Sequence, residues 1–93
     1  MPSSILAEAN TAANSSEVTI VAGTPQTIGA FRTGELELDG TDHAVITRKD
    51  AVGEFQPTGL QIDRTHHDIV LYGPGVYRAE RPVGNSGFGL IVD

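Results

Sequence analysis

The sequence contains no cysteine and no tryptophan, and only five of its 93 residues are aromatic. Without cysteine, neither a disulfide framework nor a thiolate zinc site can stabilise the fold. A chain of this length makes one domain with one modest core, so its stability must come from packing, hydrogen bonds or assembly with partners. We therefore expect one small domain.

Positive charge is also scarce, because six basic residues, of which only Lys49 is a lysine, stand against twelve acidic ones and give a net charge of -6. Nucleic-acid backbones are bound by positive surfaces, so this balance argues against a nucleic-acid partner. No apolar run approaches the ~20 residues of a membrane span. The opening MPSSILAEAN lacks the basic and apolar regions of a secretory signal. The sequence predicts a soluble protein made inside the cell, with no membrane partner.

The N-terminal segment, residues 1–17, differs in composition from the rest of the chain. It is rich in alanine, serine and asparagine, and the only large core-forming residues within 2–17 are Ile5 and Leu6. Such a segment buries too little apolar surface to offset the conformational entropy that it loses on ordering. It is predicted to be a flexible arm that orders on a neighbouring subunit, with Ile5 and Leu6 as its anchors.

From Val18 onwards the chain consists of short β-type runs separated by turn residues. These runs are 18–22, 26–32, 35–39, 43–49, 54–57, 59–63, 68–73, 75–82 and 87–93. The turn DAVG at 50–53 predicts a hairpin, and the apolar run 68–73 predicts a fully buried strand. With no helical period after residue 17, the pattern predicts an all-β fold. We expect residues 18–93 to form a small antiparallel Greek-key β-sandwich, Ig-like or jelly-roll-like.

The stretch LYGPGVYRAERP, residues 71–82, has two interpretations. A phosphate-binding loop needs a strand, glycines and then a helix, but VYRAERP is poor helix material and ends in proline. A structural corner fits better, because in Greek-key sandwiches a tyrosine hydroxyl bonds to backbone a few residues upstream. In this interpretation Leu71 is the buried anchor, and Pro74 and Gly75 form the centre of a type II turn. Tyr77 holds the turn through its hydroxyl group.

Catalytic and metal-binding residues are harder to find. His66 and His67 lie beside Asp63 and Asp68 and could bind zinc or iron, but adjacent strand residues point to opposite faces, so a solvated turn is the preferred interpretation. Glu35 and Glu37 alternate with leucines, and Arg78 and Glu80 share the same spacing, so both pairs are interpreted as solvent-facing. Arg81 is interpreted as a surface residue. No nucleophile motif is present, and we predict no catalytic, metal or cofactor site and no enzyme activity.

The C-terminal half carries a resemblance to known proteins. AVITRKDAVGEFQPTG, followed by DIVLYGPGVYRAERPVGNSGFGLIVD, resembles small virion proteins of tailed bacteriophages. The similarity extends over residues 18–93 and is clearest over 44–82. It implies a structural component, such as a capsid cement or decoration protein, or a minor head or tail part. The implied partners are the major capsid protein or another virion protein and further copies of the chain, in a virion assembled in the host cytoplasm.

Two classes of function therefore remain open. The first is a structural assembly module that stabilises the outer shell of a capsid, where acidity suits an outer position away from the packaged nucleic acid. The second is an Ig-like binding module for a carbohydrate or receptor on the host surface. Sugar sites use exposed aromatic side chains, and Tyr72 is the residue predicted to be exposed. The scarcity of aromatic residues favours the first class.

Overall fold

The computed structural model describes residues 3–32, 42–84 and 87–93, which form nine β-strands. The strands are β1 (Ser3–Ala9), β2 (Ala13–Asn14), β3 (Val18–Ile20), β4 (Gln26–Phe31), β5 (Ala44–Lys49), β6 (Phe55–Ile62), β7 (Asp68–Leu71), β8 (Gly75–Arg81) and β9 (Phe88–Val92). A four-stranded sheet has the order β1-β9-β4-β7. A five-stranded sheet has the order β2-β8-β5-β6, with β3 also paired to β8. No helix in this described part of the chain is long and apolar enough to cross a membrane.

The two antiparallel sheets pack face to face, which confirms the predicted all-β sandwich. Each sheet turns alternate side chains inwards, as the period of two in the sequence requires. Mainly β-branched and leucine side chains fill the core because they pack well on a pleated surface. The buried core residues are Ile5, Leu6, Val18, Ile20, Ile28, Ala44, Ile46, Ile62, Leu71, Tyr77, Ala79, Phe88 and Leu90.

The N-terminal segment is part of this sandwich, so the prediction of a flexible arm over residues 1–17 is corrected for the part that is described. β1 pairs with β9 in one sheet and β2 pairs with β8 in the other. Ile5 and Leu6 are 9% and 8% exposed and belong to the core. The pairing shifts between Ser4 and Leu6, and this β-bulge allows two adjacent side chains to be buried on one face. The apolar surface that the segment lacks is supplied by β9.

Two other strands differ from the predicted pattern. β6 joins the runs 54–57 and 59–63 into one edge strand, with a register shift between its pairs to Val45 and Thr47 and with Gly59 at a φ of 86°. β7 is an edge strand whose burial alternates, so the prediction of a fully buried strand over 68–73 is wrong: Val70 is 39% exposed. The run 35–39, with Glu35 and Glu37, lies outside the described residues.

Three loops come together at one end of the sandwich. The end of β5 lies beside the start of β8, since Arg48 pairs with Tyr77, and the end of β3 lies there too. β4 begins opposite the end of β7. The segments 21–25, 50–54 and 72–74 therefore share what we call the corner end.

Candidate binding surfaces

The stretch before β8 makes the tyrosine contact of the predicted structural corner. The Tyr77 hydroxyl donates to the Gly73 carbonyl at 2.9 Å, which is the upstream bond that the corner hypothesis requires. Leu71 and Tyr77 are buried, whereas Pro74 is exposed. Gly75 has a φ of 149°, far from the value of about +80° that a type II turn needs, so the predicted turn type is wrong.

A second contact holds the same corner from the neighbouring strand. Arg48 Nη2 donates to the Pro74 carbonyl at 2.7 Å, and its guanidinium carbon lies 6.0 Å from the centroid of the Tyr77 ring. A Cβ atom added to Gly75 would come within 2.5 Å of Arg48 Nε. Glycine at this position therefore leaves room for the guanidinium as well as permitting the positive φ.

The corner end exposes three large apolar side chains. Val21, Val52 and Tyr72 are 62%, 82% and 71% exposed, and each lies on a different loop. The Val52 loop is fixed by Asp50, whose Oδ1 accepts hydrogen bonds from the Glu54 and Val52 amides at 2.9 and 3.0 Å. These hydrogen bonds, with the Glu54 amide contributing most, lower the pKa of Asp50 below its usual range.

The outer face of the five-stranded sheet carries a second surface. The small outward side chains of Val45 and Thr47 on β5 lie between larger ones on β6 and β8, which leaves a depression of about 410 Å³. We call it the Phe55 trough. It is lined by Val45, Thr47, Phe55, Pro57, Glu80, Arg81 and Pro82. Most of these groups are apolar, and they include two proline rings and a half-buried phenylalanine.

Charged side chains are organised around Phe55. Arg78 lies 4.1 Å and Lys49 5.4 Å from the centroid of its ring, distances at which cations are attracted by an aromatic face. Arg78 donates from Nε and Nη2 to Glu80 Oε2 at 3.3 and 3.0 Å. The Thr47 hydroxyl lies 3.1 Å from the Arg78 carbonyl and 3.4 Å from the same Glu80 oxygen. The predicted outward-facing pair is thus one part of a polar network.

The histidine-rich loop between β6 and β7 behaves as a turn. Asp63 Oδ1 accepts hydrogen bonds from the Thr65 and His66 amides, both at 2.9 Å, and lies 3.3 Å from His66 Nδ1. Burial opposes ionisation of Asp63, but these bonds and one from Gln61 outweigh it and lower its pKa. Within residues 3–32, 42–84 and 87–93, no three histidine or acidic side chains are placed to hold a metal ion.

Arg81 is the residue whose position differs most from expectation. It is 4% exposed, so the prediction of a surface residue is wrong. Its Nε donates to the Thr11 carbonyl at 2.9 Å, and its Nη1 donates to the carbonyls of Ala7, at 2.9 Å, and Phe88. Burial lowers the pKa of Arg81, and the negative charge of the buried Asp42 opposes this shift. The bonds tie β1, the loop after it and β9 to β8.

No protein-family model, curated protein or solved structure matches the chain. The arrangement of its own side chains therefore carries the functional argument. Two surfaces suit recognition: the apolar loops of the corner end and the Phe55 trough. The first offers contact area on constrained loops, and the second offers a concave floor with polar groups at its side.

Proposed function

We propose that the protein is a virion structural protein of the capsid cement or decoration type, which binds the outer shell through the corner end. The observation that carries this proposal is the exposure of Val21, Val52 and Tyr72 on three loops at one end of a closed sandwich. Exposed apolar surface is a common mark of protein–protein contact sites, and these three side chains offer it at one end of the sandwich. Aromatic side chains such as Tyr72 are also enriched where proteins bind one another.

Two of the three loops of this end are held before any partner arrives. Tyr77 and Arg48 fix the 72–74 loop through the Gly73 and Pro74 carbonyls, and Asp50 fixes the tip that carries Val52. A surface that is already ordered loses less conformational entropy on binding than a flexible one. This favours docking onto another folded protein.

Ile5 and Leu6 take no part in the proposed contact, because their side chains lie in the core of their own domain. The partner is the major capsid protein, as the resemblance to phage virion proteins suggests. A net charge of -6 suits a position away from packaged nucleic acid. Weak contacts repeated over a shell would gain strength if the protein also assembles with copies of itself.

The test is binding to capsids assembled from the major capsid protein encoded in the same genome. Electron microscopy should show saturable density at positions that follow the symmetry of the shell. The variant Val52→Asp should lose most of this occupancy, because it places a charge in the apolar contact.

Val83→Asp is the matched control. Val83 is also a highly exposed valine, at 72%, but it follows the far end of β8. This variant should bind as the unmodified protein does. Failure of the unmodified protein to bind would refute the capsid role. Equal occupancy by both variants would refute docking through the corner end.

A further inference from the structure

The Phe55 trough has the form of a small-molecule site. Its volume of about 410 Å³ lies within the range of roughly 300–1,000 Å³ that such sites occupy. Val45 and Thr47 form the floor, Phe55 and Pro57 form one side, and Glu80 begins the other. Flat apolar groups with a few polar atoms are the usual lining of ligand sites.

The polar atoms at the side of the trough have unused hydrogen-bonding capacity. All three side-chain contacts to Glu80 from Arg78 and Thr47 go to Oε2, so no described residue donates to Oε1. Arg78 uses Nε and Nη2 for its ion pair, and its Nη1 has no acceptor among the described residues. One acceptor in the lining of the trough and one donor on the neighbouring Arg78 therefore lie together beside the floor.

The same contacts hold these groups in place without a ligand. Arg78 is fixed between the Phe55 ring and the Glu80 carboxylate, at 4.1 Å from the ring centroid and 3.0 Å from Oε2. Thr47 is buried beneath them. A site arranged in this way loses little side-chain freedom when it is filled.

We propose that the Phe55 trough binds a neutral pyranose ring of a carbohydrate. One side of such a ring presents C–H groups, which would pack on Pro57, on the floor and on the part of the Phe55 ring that Arg78 leaves uncovered. Its hydroxyl groups both donate and accept, which matches the Glu80 carboxylate and the Arg78 guanidinium side by side. The carboxylate disfavours a nucleic-acid phosphate at the same place.

This activity goes beyond capsid binding, because it uses the outer face of the five-stranded sheet and a different set of side chains. It also replaces Tyr72, the aromatic residue that the sequence singles out for sugar contact, by Phe55. The Tyr72 side chain lies on the 72–74 loop at the corner end, outside the trough.

The probes are the methyl pyranosides of glucose, galactose, mannose and N-acetylglucosamine, added to the isotopically labelled protein and followed by amide chemical shifts. At least one should give saturable shifts at the strands around Val45, Thr47 and Glu80. Phe55→Ala should weaken its binding by about tenfold or more, since stacking surface is lost. Tyr72→Ala should leave the binding unchanged.

Two further variants keep the test valid if Phe55→Ala is poorly folded. Phe55→Leu keeps an apolar side chain but removes the ring, and Glu80→Gln keeps the shape but removes the carboxylate; both should weaken binding. No saturable shift with any of the four sugars would overturn the proposal. Shifts that survive in all three trough variants, or that are lost in Tyr72→Ala, would overturn it as well. Capsid occupancy is measured separately, so either proposal can fail without the other.

Discussion

Tyr77 and Arg81 lie on the same strand, β8, and each holds the fold through hydrogen bonds to backbone carbonyls. Tyr77 reaches the Gly73 carbonyl four residues upstream. Arg81 reaches the carbonyls of Thr11 and Ala7, 70 and 74 residues away, and that of Phe88 on β9. The first contact closes a local turn, whereas the second joins distant segments of the chain. The difference predicts how strongly each site should respond to mutation.

Arg81→Met should have the largest effect. Methionine keeps much of the side-chain volume but leaves three carbonyls and the buried Asp42 without the guanidinium. A buried acceptor that is left without its donor typically costs about 1–3 kcal/mol of folding free energy, and three carbonyls are affected here. Urea unfolding should show this loss. Arg78→Met on the same strand should cost no more than about 1 kcal/mol, because its ion pair is partly exposed. Similar losses in both variants would contradict the long-range role of Arg81.

Leu6→Ala should cause the next largest loss of stability, because it truncates a side chain that is buried in the core. Arg81 holds the same strand, β1, through the Ala7 carbonyl. Truncating a buried leucine costs about 2–5 kcal/mol. Thermal or urea unfolding measures the change, and Ser3→Ala at the exposed start of β1 should stay within about 0.5 kcal/mol of the unmodified protein. If Leu6→Ala were as stable as that control, the N-terminal segment would behave as an arm in solution.

Tyr77→Phe should cost about 1 kcal/mol, the usual contribution of one hydrogen bond between neutral groups. The phenyl ring can keep its packing, so only the bond to Gly73 is lost. Tyr72→Phe is the matched control and should not change the melting temperature, because Tyr72 is mostly exposed. If Tyr77→Phe had the same melting temperature as the unmodified protein, the corner would not depend on the Tyr77 hydroxyl.

Asp50→Asn should have the smallest effect, and it should be visible in the pH dependence. The folded-state pKa of Asp50 lies below the usual value of 3.8, so its ionised form stabilises the 50–54 turn. That stabilisation is complete above the usual pKa and is lost as pH falls through the folded-state pKa. The protection of the Val52 and Glu54 amides, which is their exchange rate relative to the intrinsic rate at the same pH, should therefore fall in acid for the unmodified protein, while the variant shows little of this change. Identical pH profiles would contradict the role of the carboxylate.

The sequence predicts those features whose causes lie close together in the chain. Alternation over a few residues marks most of the strands, DAVG marks the hairpin between β5 and β6, and the spacing from Gly73 to Tyr77 marks the corner. The type of turn was not predictable in the same way. The Arg48 guanidinium packs against Gly75 from a strand 27 residues earlier, and glycine accepts many backbone conformations.

The Phe55 trough could be foreseen only in part. The sequence places Arg78 and Glu80 on one outward face, but it does not show that Phe55 and Thr47 lie beside them. Those neighbours follow from the register of β5 with β6 and β8. A shift by one residue would turn the opposite set of side chains outwards.

Strand periodicity and turn chemistry act over a few neighbouring residues, so the amino-acid order is enough to predict a small β-protein without disulfides. The burial of the N-terminal strand and of Arg81 depends instead on contacts between distant segments. The N-terminal segment has few apolar residues, yet it forms a strand of the sandwich because it pairs with β9. Arg81 is buried because carbonyl groups from three other segments of the chain accept its hydrogen bonds. Such convergence depends on which strands meet, and no local pattern encodes it.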